Sequence, residues 1–171
     1  MDDPDGFDVD RQQAKERFAR YVLGIEGLPE RDELTGLRPA DRWTNDWFAA
    51  VLFLDRDDRG YEVAYAMCDD AGRWQVTGGG GVRPDPSRRF DDPGVPGLHR
   101  VGGGASGVVR VTVVLACPRV ATIRLRSDLG ERDRSLGPTR YALLGITHDD
   151  PLTYAVGVTA TGQHLGEPLL L

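Results

Sequence analysis

Lysine is almost missing from this 171-residue chain: Lys15 stands alone against twenty arginines. Cysteine is scarce too. With only Cys68 and Cys117 there is no disulfide framework to hold a small fold together. One bridge between them is geometrically open, because each follows an expected strand and precedes a turn. Without an export signal, however, the reading is two reduced, partly buried thiols. No apolar run approaches the ~18 residues that a membrane-spanning helix needs, and the longest, 47–54, has the length of a strand. The opening Met-Asp-Asp-Pro-Asp has neither the basic region nor the apolar stretch of a signal peptide. That reads as a soluble, cytoplasmic protein, unless the sequence is trimmed from an anchored or secreted parent.

Reaction chemistry is equally sparse. There is no GxxxxGK[ST] phosphate loop and no GxSxG elbow. Gly102, Gly104 and Gly107 formally satisfy GxGxxG, but a Gly/Pro-rich loop precedes them and a valine-rich strand follows. The dinucleotide fingerprint needs the reverse, a strand before and a helix N-terminus after. Asp55, Asp57 and Asp58 start like a calcium loop, yet Arg59 and Ala66 stand where further ligands belong. His148-Asp149-Asp150 is the densest set of metal ligands and is also ordinary turn chemistry. His164 lies beyond an expected strand roughly 25–30 Å long. Ser87, Ser106, Ser127 and Ser135 have no activating neighbours in sequence. The expectation is no cofactor, no metal and no catalytic residue.

What the chain does have is charge asymmetry and alternation. The net charge is −6. Residues 1–70 hold 18 acids and 9 bases, while 100–140 hold 8 arginines and 3 acids. Nucleic-acid affinity comes largely from neutralising phosphates, which an acidic chain does poorly, so no nucleic-acid partner is expected.

Residues 1–8 are too polar to order themselves. Asp10 then caps a helix expected over 11–23, with Ala14, Phe18, Tyr21 and Val22 on one stripe. Residues 26–46, broken by Pro29, Gly36 and Pro39, read as a connection. Strands at 47–54, 61–67 and 73–77 follow, linked by polar hairpin turns. The first is apolar on both faces and should be central. Residues 78–106 carry nine glycines and four prolines and read as a linker or long loop. Short strands near 108–116, 120–126, 132–136, 140–147 and 152–160, with an edge near 163–165, complete the pattern.

The fold class is therefore mainly β: an N-terminal helix on a three-stranded antiparallel meander, then an immunoglobulin-like antiparallel sandwich. The domain reading is an α+β module over 1–77, a linker over 78–106 and a sandwich over 107–171. The alternative is one fused domain over 9–170.

Two constellations are candidates for binding. If 108–116 and 120–126 form a hairpin with a three-residue loop, Val109, Val111 and Val113 share a buried face with Ile123 and Leu125. Arg110, Thr112, Arg124 and Arg126 then gather on the exposed face as a partner-binding patch. If the strands lie in different sheets, that patch disperses. Trp43, Trp47 and Trp74 are placed to line a cleft between the two modules.

Arg73-Trp74-Gln75-Val76-Thr77 running into Gly78–Gly81, followed by Val111–Leu115, Tyr154–Thr159 and Thr161-Gly162-Gln163-His164-Leu165, resembles uncharacterised bacterial proteins of high-GC genomes. These carry an immunoglobulin-like sandwich after a tryptophan and a polyglycine stretch. The arginine-for-lysine bias suits such genomes. The resemblance implies a fold and transfers no activity.

The resulting expectation is a non-enzymatic protein-interaction module of unknown partner. One alternative is a small-ligand binder or enzyme using the intermodule cleft. Another is an acidic inhibitor or immunity-type protein whose acidic half covers a basic target.

Overall fold

The computed structural model describes residues 36–55, 58, 60–82 and 96–171. The chain divides into two compact units, Met1–Arg83 and Pro84–Leu171. The helix expected over 11–23 lies outside the described residues. Every regular element among those described is a strand, and every strand pairing is antiparallel.

In the N-terminal unit, β1 (Arg38–Thr44), β2 (Phe48–Leu54), β3 (Tyr61–Cys68) and β4 (Trp74–Val82) form one sheet in chain order. All seven residues of β2 are buried, as a strand apolar on both faces and flanked on both sides should be. Val51 and Phe53 cluster with Leu37 and Ala64. Phe48, on the other face by alternation, has its ring 6.2 Å from that of Trp43 and 5.8 Å from those of Trp47 and Tyr65.

The meander has four strands, not three. β1 occupies part of the segment read as a connection, because Pro39 and the charges beside it mask its alternation. Proline cannot donate to a ladder, so this strand lies at the sheet edge, and Ala40 is left over as a bulge between Pro39 and Asp41. Arg38 reinforces it by pairing with Asp58 in the β2–β3 link, Nε to Oδ1 at 2.9 Å.

The glycine run is also a strand. β4 continues through Gly78–Gly81, which face Tyr65, Ala64, Val63 and Glu62 of β3 one for one. A Cβ at Gly79 would stand 2.5 Å from the Val63 carbonyl oxygen, so only glycine permits this approach.

In the C-terminal unit, β5 (Leu98–Ser106), β6 (Val109–Ala116) and β9 (Tyr141–Thr147) make a three-stranded sheet in the order β5-β6-β9. β7 (Thr122–Ser127), β8 (Gly130–Ser135), β10 (Tyr154–Val158) and β11 (His164–Leu170) make a four-stranded sheet in the order β11-β10-β7-β8. Val114, Ala142 and Leu144 from the first pack against Ile123, Leu125 and Ala155 from the second, closed by Leu171. Apolar residues interleaved between two sheets in this way form the core of a sandwich.

β6 and β7 are not a hairpin but lie in different sheets, the alternative in which the arginine patch disperses. β6 pairs with β5 and β9, and β7 pairs with β8 and β10. The chain changes sheet over 117–121. There Val120 N–H donates to the Cys117 carbonyl at 3.0 Å, and Ala121 N–H already donates to Val158 of the second sheet at 2.8 Å. Arg140, in the left-handed region at φ 63, braces the crossing with Nε donated to the Ala116 carbonyl at 2.9 Å. Val114, not the odd-numbered valines, therefore meets Ile123 and Leu125.

β5 occupies the second half of the stretch read as a linker. Its start crosses β11 at a point where two glycines are required: Gly97 has φ +116 and Gly166 φ +75, and a Cβ on Gly97 would lie 2.5 Å from the Leu165 carbonyl oxygen.

Candidate docking end of the sandwich

Three connections leave the same end of the sandwich: Gly107-Val108 between β5 and β6, Asp128-Leu129 between β7 and β8, and 148–153 between β9 and β10. Turns favour glycine and small polar residues. Here each turn also carries a large apolar side chain, with Val108 55%, Leu129 86% and Leu152 57% exposed. Such side chains are ordinary singly; here three stand on loops at one end of the sandwich, and exposed apolar groupings are where contact sites are found.

Two clefts lie between these tips. One, of about 290 Å³, is lined by Val108, Arg110, Ile146, His148 and Leu152. The other, of about 250 Å³, is lined by Leu125, Arg126, Leu129, Glu131 and Arg132. Asp150, Pro151 and Thr153 border both, so the clefts adjoin along the β9–β10 loop.

That loop is held by its own polar groups and by the C-terminal residue. Asp150 Oδ2 accepts the Thr147 N–H, Thr153 Oγ1 donates to the Pro151 carbonyl at 2.7 Å, and Leu171 N–H donates to the Thr153 carbonyl at 3.0 Å. His148 and Asp149 point into solvent, 3.5 Å apart. A loop fixed before contact loses less conformational entropy on binding.

The four residues of the expected patch are not gathered. Arg110 and Thr112 lie on β6 and Arg124 and Arg126 on β7, in different sheets, and Thr112 is buried. Arg124 is clasped by Asp133 of β8 in a two-pronged pair, Nε–Oδ1 2.7 Å and Nη2–Oδ2 2.9 Å. The hydrogen bond from Arg124 holds the Asp133 carboxyl below the usual carboxylate range, and Asp133 in turn raises Arg124. Arg126 Nε lies 2.7 Å from Glu131 Oε1, although its N–H is not aimed for a good hydrogen bond. Its Nη2 lies 3.4 Å from His164 Nε2. The positive face of β7 is thus largely neutralised by its neighbour strand.

The tryptophans expected at a cleft all belong to the N-terminal unit. Trp43 and Trp47 pack their rings on Phe48, and Trp74 starts β4 opposite Cys68. Both cysteines are free. Cys117 is buried where the chain changes sheet, and its Sγ accepts the Gly97 N–H at 3.4 Å. Burial pushes this thiol up, but the Gly97, Arg119 and Val120 amides and the Arg140 charge outweigh it and bring it below the ordinary value. Among the described residues no group of three or more His, Cys, Asp or Glu could hold a metal ion. No helix among them is long and apolar enough to cross a membrane.

Sequence reasoning passed over Val108, Leu129 and Leu152. The signal was present as an apolar residue inside Gly107-Val108, Asp128-Leu129-Gly130 and Asp150-Pro151-Leu152. Only the folded chain places the three turns at one end. No family model, curated protein or solved structure matches this chain.

Proposed function

We propose that this protein is a non-enzymatic protein-interaction module that binds its partner through the loop end of an immunoglobulin-like sandwich. The observation that carries the reading is the trio of exposed apolar tips, Val108, Leu129 and Leu152, set around two adjoining clefts. Apolar side chains seated in pockets with a polar surround are the usual energetic centre of an interface. Arg110, Arg126, Arg132 and Asp150 supply that surround here. The immunoglobulin-like reading is supported by strand order: β5-β6-β9 facing β11-β10-β7-β8 follows the A-B-E and G-F-C-C′ arrangement of seven-stranded sandwiches of that class.

The test is capture from lysate of the source cell, with a photo-crosslinking residue beside the tips, comparing the native sequence with Leu129→Asp/Leu152→Asp. Both positions are exposed, so the variant keeps its core. A discrete crosslinked partner whose binding falls ~30-fold in the variant, the effect of losing about 2 kcal/mol at a contact centre, supports the reading. A partner captured equally by both chains removes the loop end from the account.

A further inference from the structure

Among the described residues six strands lie at sheet edges, and an exposed edge invites another strand unless something blunts it. All six carry at least one such device. β1 has Pro39 and a bulge, β5 a register slip between Arg100 and Gly102, and β11 a slip together with Glu167 and Pro168. β8 reads Glu-Arg-Asp-Arg in its middle, and β9 is buried from Tyr141 to Gly145. β4 differs. Past a bulge at Thr77, Gly78–Val82 pairs one for one with Tyr61–Tyr65, with no charge, proline or further irregularity. Gly78, Gly79, Gly80 and Gly81 are all exposed. Nothing stands within 4 Å of where a Cβ on Gly78 or Gly80 would be.

We propose that the Gly78–Val82 edge of β4 pairs antiparallel with the same edge of a second copy of this chain, joining two four-stranded sheets into one of eight. Four identical residues read the same from either direction, so a two-fold axis through the run sets glycine against glycine with no side chain to collide. A foreign strand has less reason to be chosen. Strand addition takes its specificity from side-chain pockets along the edge, and a glycine edge offers none. Two short edges bury far less than the ~1,200 Å² of a lasting interface, so the dimer is weak and concentration-dependent.

Sedimentation velocity over a concentration series tests this, beside amide exchange at 78–82. The native chain should pass from the mass of one copy to that of two as concentration rises, with exchange at 78–82 slowing in step. Gly80→Lys has room at its Cβ and lies outside the positive-φ glycines, so it folds while placing a charge on the edge. It should stay monomeric with unchanged circular dichroism. Gly78→Lys, equally unhindered, should do the same. A native chain monomeric at every concentration, or a dimer that persists in both variants, overturns the proposal.

Discussion

Gly97 carries more of the C-terminal unit than its size suggests. Its backbone sits at φ +116, its carbonyl accepts the Cys117 N–H at 2.9 Å, and its N–H donates to Cys117 Sγ. Alanine there adds a methyl into the Leu165 carbonyl and forces an L residue into a disfavoured backbone region. Gly97→Ala should lose about 1–3 kcal/mol, read by calorimetry as a Tm lower by roughly 5–15 °C. An unchanged Tm would mean that β5 and β11 can slide apart at this crossing. The same contact makes a sequence-level reading of Gly97 hopeless. Its neighbour across the crossing is Gly166, nearly seventy positions away, and nothing local to either residue reports the approach.

At the scale of the element, the strands legible in sequence were those that alternate against a core or, like β2, are apolar throughout. β2, β3, β6, β7, β9 and β10 carry runs of Val, Ile, Leu, Phe and Ala, and all lie close to their expected places. β1 and β5 were not legible, because they are edge strands held by backbone pairing; neither Pro39 nor Gly102–Gly104 contributes the side-chain pattern that marks a strand. Sheet membership was hidden for a different reason. Alternation fixes which residues share a face and says nothing of which strand lies alongside, so the valines of β6 fitted a hairpin with β7 as well as they fit β9.

The β7–β8 pair also bears on charge. The Arg124 hydrogen bond depresses Asp133, and a depressed carboxylate contributes stability above its unfolded pKa, about 3.9, that is lost as pH falls through the folded value. Arg124→Gln should move the Asp133 titration, followed by carboxyl carbon NMR, upward into the ordinary range. A titration that stays low would show that Arg124 is not its cause. A charge reversal at Arg124, by contrast, would crowd its new carboxylate against Asp133 and Glu131 and test folding more than recognition.

For the whole molecule, the two proposed contact regions fall on separate compact units: the glycine edge in Met1–Arg83 and the loop tips in Pro84–Leu171. Variants at sites that share no partners add independently. Leu129→Asp/Leu152→Asp should therefore leave self-association by sedimentation unchanged, and Gly80→Lys should leave the crosslinked partner unchanged. Loss of both behaviours in either variant would tie the two contacts into one. The broad architecture was legible from composition and period, but the docking end was not. It is assembled from turns 20 or more positions apart, and turn residues carry no periodic signal.

The loop tips are anchored in strands whose inward residues make the core, while Val108, Leu129 and Leu152 themselves add little to it. On the proposed reading, recognition and folding are written in different letters of the same chain. A library randomised at the three turns could be screened for targets without re-solving the fold, and on that same reading natural drift there would retarget the protein before it unfolded it.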